Sequence, residues 1–400
     1  MELKYKIIIV SLYFTLIIAT ERIYYDLLFK ESLEVIPKFQ KASPKSYGFW
    51  KFMAHLGGKP VLGAIYVILF LFIPLNKVFI MFFLLILTGF IDHLSKILYR
   101  QERPLWMNDE IDVHSEHACG YGNPSGHALS SSCLYLSFWY MISDLLNNCF
   151  RSKTKLYYAI KYIIFSVCLI IVFLIMTCRL YLGVHSLNQI IYGFLIGVGL
   201  FLLFLPIFKT YHNTPSEFLN QQYKLRFLTL GFIGAGIITY YVSYFCRKNV
   251  EGVTERTNWK KMCFDQKWSK LLIEASFMGS ESIFIILGTF VGLYFVKIKI
   301  DKDYPNKEDA IFNWQESKFG LRLLRLLFLI LGFAPVGILF LLSLFNISYI
   351  VFYIVTPILF FLGGFLTFGP CFFYGYKCIS KKFPQYDIEL LRTQMAEENI

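Results

Sequence analysis

The segment Ser186–Phe208, SLNQIIYGFLIGVGLFLLFLPIF, contains no Asp, Glu, Lys or Arg. It is longer than the about 20 apolar residues that a helix needs to cross the hydrocarbon of a bilayer. Backbone N–H and C=O groups find no water there, so a helix, which pairs them internally, is the conformation such a segment must take. Charge-free runs of similar kind extend on both sides: Pro60–Leu75, Val78–Ile91, Ala128–Ser143, Tyr162–Cys178, Phe227–Cys246 and Ser282–Val296. Leu326–Tyr376 is also uncharged and has the length of two spans, folded back at Asn346-Ile347-Ser348. The pattern predicts an all-α, polytopic integral membrane bundle with about nine core transmembrane helices.

Composition agrees. Of 400 residues, 56% are hydrophobic and 19% aromatic against 16% charged, too little polar surface to cover several soluble domains. Lys and Arg number 39 and Asp and Glu 27, a net charge of +12 that suits basic cytosolic loops, anionic membrane lipid or a phosphate-bearing ligand. No basic surface interleaved with aromatics argues for nucleic acid. Nine cysteines without a Cys-x-x-Cys pair indicate neither a disulfide framework nor a structural zinc site.

Ile7–Ala19 follows Lys4 and Lys6 and reads as a cleaved signal peptide or a retained anchor; lack of a clear small-residue cleavage site favours the anchor. The expected organisation is an N-terminal signal segment over 1–20, one polytopic membrane domain over 21–376 and a charged cytosolic tail over 377–400. The loop with Arg151, Lys153, Lys155 and Lys161 has no opposing acid and is placed in the cytosol, which puts 100–123 on the other side. Arg247–Lys270 is also basic yet falls opposite the cytosol on this count, a departure from the rule.

Ionisable groups at span ends are costly unless they face protein or water. Three clusters have this placement. Lys96 precedes Arg103-Pro104 by nearly two helical turns, so both cations can project to one side; a snorkelling pair is the plain alternative. Pro124-Ser125-Gly126-His127 opens the Ala128 span. A helix start of this kind offers unpaired N–H groups to an anion, and an ordinary capped helix is the competing reading. Arg179 and His185 flank Gly183, and Gln189 lies four residues beyond the histidine, on the same helical face. Gln189 can therefore orient one ring nitrogen while the other faces a cavity, although lone interfacial histidines are often structural. Alternation places all three clusters on one side of the membrane. Together, the cations and a helix N-terminus match the charge of a phosphoryl group, and two histidines can divide attack from leaving-group protonation. This chemistry requires neither a metal nor a cofactor.

At these residues the chain resembles the type 2 phosphatidic acid phosphatase superfamily, whose motifs are Lys-x6-Arg-Pro, Pro-Ser-Gly-His and Ser-Arg-x5-His-x3-Asp. The first two match in full; the third has Cys178 for serine and Gln189 for aspartate. Glutamine there is a feature of the nine-span glucose-6-phosphatase branch. That branch is also resembled in Arg103-Pro104-x-Trp106, Cys263-x4-Trp268 and Leu287-Gly288-Thr289-Phe290-x-Gly292-Leu293, so that the likeness extends over roughly residues 50 to 370. The resemblance implies that His185 is the nucleophile that becomes phosphohistidine and that His127 protonates the leaving oxygen. It further implies that Lys96, Arg103, Ser125, Gly126 and Arg179 hold phosphate, with Gln189 orienting His185. For the branch it implies hydrolysis of glucose 6-phosphate in the endoplasmic reticulum lumen, as in gluconeogenesis, the sugar phosphate being delivered by a separate glucose-6-phosphate transporter.

Two other readings stand beside it. A lipid phosphate phosphatase acting on phosphatidate-like or sphingoid phosphates would use the same histidines, with a lateral apolar opening in place of a closed sugar pocket. A non-catalytic membrane phosphate-binding or transport protein would account for Cys178 and Gln189 but not for two intact histidines. Among smaller signals, His114 and His117 read as solvated loop residues, the Asn346 glycosylation pattern as an unmodified turn, and Cys119 with Cys263 as two lumenal thiols able to pair.

Overall fold

A computed structural model describes residues 3–72, 75–112, 120–149, 154–210, 231, 233–238, 282–303, 319–342 and 349–382. Among these every regular element is a helix: α1 Leu3–Ala42, a 3-10 turn Pro44–Ser46, α2 Tyr47–Gly57, α3 Lys59–Phe72, α4 Leu75–Tyr99, α5 Pro104–Met107, α6 Gly126–Cys149, α7 Lys155–Tyr181, α8 Leu187–Thr210, α9 Ile283–Asp303, α10 Phe319–Leu342, α11 Tyr349–Phe368 and α12 Pro370–Lys382.

Five helical stretches are long and apolar enough to cross a membrane: 81–107, 155–181, 187–205, 283–303 and 355–378. The bent pair 44–57 and 61–69 would make a sixth. The described residues thus do not reproduce the expected nine spans. Three expected runs account for the difference. Most of Phe227–Cys246 lies outside the described residues. The first half of Leu326–Tyr376 yields only a shorter apolar helix over 326–338. The Ala128 run forms α6, but Ser130, Ser131, Ser132, Ser137 and Ser143 make it less apolar; all five are buried and donate mainly to carbonyls of their own helix. The turn at 346–348, Arg247–Lys270, His114, His117, Cys119, Cys263 and Trp268 also lie outside the described residues.

The described chain falls into two compact units. Of the described residues, the first takes those up to Ala64 and from Thr88 to Pro206; the second takes those from Ile65 to Leu87, Ile207 to Tyr240 and Glu281 onward. In the first, α1 is a single helix of 40 residues, so the expected boundary at residue 20 falls inside it and the polar stretch after Glu21 continues the helix. Its apolar side chains Ile8, Leu12, Leu16, Ile23 and Leu27 are exposed, as is a stripe of α7 formed by Leu156, Ile163, Val167 and Ile170. Such stripes at helical spacing suit a hydrocarbon surround. The opposite side of α7 buries Cys168, Val172, Ile175 and Cys178. Behind the turn after α7, Ile36, Leu105, Trp106, Ile111, Tyr121, Tyr181 and Val184 form a closed apolar cluster. Gly183 has φ of 68° and a Cβ there would stand 2.4 Å from Ile111 Cγ2, so both the turn and its packing demand glycine.

In the second unit α9 and α11 pack through glycine. A Cβ on Gly288 would lie 2.0 Å from the Phe361 carbonyl oxygen, and one on Gly364 would lie 2.2 Å from that of Ile285. Small residues that let backbones touch are the usual means of joining helices in lipid, where no hydrophobic force separates helix from solvent.

Candidate active site

The expected site residues all belong to the first unit, on four separate pieces of chain. Lys96 ends α4, Arg103 precedes α5, Ser125 and Gly126 lead into α6 with His127 in its first turn, and Arg179, His185 and Gln189 surround the turn from α7 to α8. Backbone contacts join the pieces. Leu105 N–H donates to the Gly183 carbonyl at 3.2 Å and Ser125 N–H to the Gln189 carbonyl at 2.9 Å. Gly193 of α8 allows this second approach, since a Cβ there would lie 2.6 Å from the Ser125 carbonyl oxygen.

Arg103 is held by carbonyls. Its Nε donates to Gly120 at 2.5 Å, one terminal nitrogen to Val184 at 2.7 Å and the other to Tyr121 at 3.1 Å. The nitrogen bonded to Val184 also stands 3.3 Å from His185 Nε2. On the other side of that ring, Nδ1 is 3.2 Å from Gln189 Oε1. Gln189 spends its amide N–H on the Glu102 carbonyl at 2.8 Å, and its Oε1 also accepts from Ser186 N–H at 3.3 Å. The amide oxygen therefore faces the ring and can only accept, which puts the imidazole proton on Nδ1 and leaves a lone pair on Nε2 beside Arg103. Burial, with Arg103, Arg179, Lys96 and His127 close by, holds His185 well below the usual imidazole range, so the ring is neutral at ordinary pH.

Lys96 is buried and ion-paired to Asp92 at 2.7 Å, one turn earlier on α4. Asp92 also lies under the glycine of the α6 entry: a Cβ on Gly126 would meet its Oδ2 at 2.5 Å. His127 is half-buried against α2, where a Cβ on Gly57 would come within 3.3 Å of the ring. Ser125 Oγ and Arg179 Nε are both buried and have no hydrogen-bond partner among the described residues. Two orphaned donors next to a helix start and a ring of cations fit an anion, because burying donors unpaired costs about 1–3 kcal/mol each. Among the described residues no group of three His, Cys, Asp or Glu is arranged to hold a metal ion.

The eight expected residues are thus brought together around one imidazole. Several neighbours were not anticipated. Asp92 could have been found as the acid four residues before Lys96, on the same helical face. Gly122 carried no such signal, yet a Cβ there would lie 2.5 Å from both terminal atoms of the Gln189 amide. The Glu102 carbonyl is a main-chain contact that no side-chain pattern announces.

Residues 77–212 match the PAP2 superfamily, and every expected site residue lies within that stretch. Within that superfamily the expected likeness to the glucose-6-phosphatases is borne out. Glucose-6-phosphatase 2 of Mus musculus is 23% identical over 227 residues, 52% of this chain and 62% of the relative's length. The match spans less than two thirds of that relative. No solved structure matches the chain.

Proposed function

We propose that this protein is a membrane phosphohydrolase that releases inorganic phosphate through a phosphohistidine at His185, with glucose 6-phosphate as substrate. The observation that carries this reading is the state of His185: buried, neutral, its proton held on Nδ1 by Gln189 and its unprotonated Nε2 accepting from Arg103. In the first step the Nε2 lone pair attacks phosphorus, the ester P–O bond breaks and His127 gives its proton to the departing oxygen. In the second, His127 takes a proton from water, the water oxygen attacks phosphorus and the P–N bond breaks to release phosphate. Lys96, Arg103, Arg179, Ser125 and the backbone at Gly126 oppose charge on the phosphoryl oxygens throughout. Gln189 replaces a carboxylate with a neutral acceptor, which keeps the ring oriented without raising its basicity.

On this reading the protein is a multi-pass protein of the endoplasmic reticulum membrane with this site facing the lumen, a location that the resemblance to the glucose-6-phosphatases supports. A sugar phosphate then needs a transporter to reach it, since the ionised group does not cross hydrocarbon. The test is phosphate release by detergent-permeabilised membranes given glucose 6-phosphate or a lysophosphatidate, each against a His185→Ala control. Release from the sugar alone supports the reading; release from the lipid alone moves the protein to the lipid phosphate phosphatases.

A further inference from the structure

We propose that Glu21, on the N-terminal helix, is a positioning residue that holds together the loops of the active site. This rests on the phosphohydrolase reading above. Among the described residues Glu21 is the buried charged side chain of α1; the acids and bases that follow it on the helix are exposed. Its Oε1 accepts from Gln101 Nε2 and from Asn123 Nδ2, both at 2.9 Å. Gln101 lies two residues before Arg103 and Asn123 directly before the Pro124-Ser125-Gly126-His127 entry to α6. The chain of bonds continues. Gln101 Oε1 accepts from Asn188 Nδ2 at 3.2 Å, and Asn188 Oδ1 accepts from the hydroxyl of Ser186, next to His185, at 2.6 Å. The Gln101 carbonyl accepts from Gly122 N–H at 2.8 Å, and Gly122 is the residue against which the Gln189 amide lies. One carboxylate oxygen therefore sets the register of three loops that carry Arg103, His127 and His185.

A role in anchoring α1 does not account for an acid here. That helix is already fastened by neutral groups: Tyr13 donates to the Leu195 carbonyl at 2.7 Å, Ser32 accepts from Leu187 N–H at 2.9 Å, and Gln40 donates to the Tyr181 carbonyl at 2.8 Å. The second oxygen of Glu21 is buried without a partner among the described residues, which costs folding free energy. A carboxylate kept at that cost is explained by what its bonded oxygen does, since charge-assisted bonds to two amides fix them more firmly than a neutral acceptor would. The helix that the sequence presents as a signal or anchor segment is on this view a part of the active-site scaffold, and its removal would leave Gln101 and Asn123 without their shared acceptor.

The test is an exchange of acid and amide in the full chain purified in detergent, read by kcat and KM on glucose 6-phosphate and p-nitrophenyl phosphate, by affinity for orthovanadate, and by thermal unfolding. Glu21→Gln keeps an accepting oxygen and should lower kcat less than about tenfold. Gln101→Glu sets two acids face to face and should lower kcat about 10–100-fold, with KM within about threefold of wild type. Combining Gln101→Glu with Glu21→Gln restores one acid and one amide and should recover kcat to within about fivefold, while Asn188 keeps its acceptor throughout. Asn123→Asp with Glu21→Gln is the parallel cycle and decides the matter if Gln101→Glu does not fold. A folded Gln101→Glu variant within twofold of wild type, or folded double variants whose losses merely multiply, overturn the proposal. Should wild type hydrolyse no phosphoester, the phosphohydrolase reading fails, and vanadate affinity decides this one: loss and recovery along the cycle support it, and a flat affinity overturns it.

Discussion

The two units of this protein bury different things. The first keeps Glu21, Asp92, Lys96, Arg103 and Arg179 inside, together with Gln101, Asn123, Asn188 and Gln189. In the second, the buried polar side chains among the described residues are Thr289, Thr356, Thr367 and Lys297. The hydroxyls of Thr289 and Thr367 return to their own helices, on Ile285 at 2.8 Å and Gly363 at 2.7 Å, and Lys297 pairs with Asp301 one turn on. Cohesion there comes from glycines that admit a neighbouring backbone and from rings such as Phe82, which lies 4.9 Å from Phe368. The difference shows what each arrangement is suited to. Glycine and phenylalanine contacts hold helices together in lipid without direction. Buried charge and amide networks cost stability and give geometry, and in the first unit the donors Ser125 Oγ and Arg179 Nε face no partner among the described residues.

Substitutions can break this contrast. The largest effect is expected from His185→Ala, which on the proposed mechanism removes the attacking nitrogen and should lower turnover by about 10⁴-fold or more with little change in melting temperature. Next, Arg179→Met should lower kcat/KM by about 10²–10³-fold, since it deletes a charge aimed at the transition state. Gly122→Ala should drive the Gln189 amide off His185 and lower kcat about 10–100-fold, a loss seen in steady-state kinetics rather than in thermal unfolding. Gly288→Ala is its counterpart in the second unit. It should destabilise the protein by about 1–3 kcal/mol in a detergent unfolding series and leave turnover per folded molecule within twofold of wild type. If Gly288→Ala instead abolished chemistry in folded protein, the two units would not differ in the way described.

The smallest expected effect is on pH dependence. Since His185 titrates well below the usual imidazole range, the acid limb of kcat/KM should lie below about pH 6.5. Gln189→Asp would place a carboxylate on Nδ1, favour the imidazolium and move that limb to higher pH. The sign for folding is related. His185 in the unfolded chain takes up a proton near its ordinary value while the native ring resists it, so stability is lost as pH falls from that value toward the lowered one.

Much of the site was legible in order along the chain. Lys96, Arg103, the Pro124–His127 run, Arg179, His185 and Gln189 each stand at the end of an apolar run, where a charge or a helix start is expensive enough to call for a reason. The span count was less legible. Hydropathy treats the Ala128 run as one more lipid-facing helix, but its five serines are buried, four of them donating to carbonyls of their own helix and Ser130 to Thr88 Oγ1. Glu21 was hidden for a related cause: an acid just after an apolar segment looks like the polar flank of an anchor, and nothing in its neighbours tells that the helix continues to Ala42.

What the sequence determined by itself is whatever depends on neighbours close in the chain: the helical state of long uncharged runs, the shared face of Gln189 and His185, the need for glycine at turns. Tertiary structure alone decided which end of its amide Gln189 presents to the ring, because that follows from the Glu102 carbonyl 87 residues away taking the amide's N–H. It alone decided that Glu21 joins Gln101 and Asn123, at separations of 80 and 102 residues. Hydrogen bonds of this reach are set by where helices come to rest against one another, and a single sequence carries no periodicity that records it.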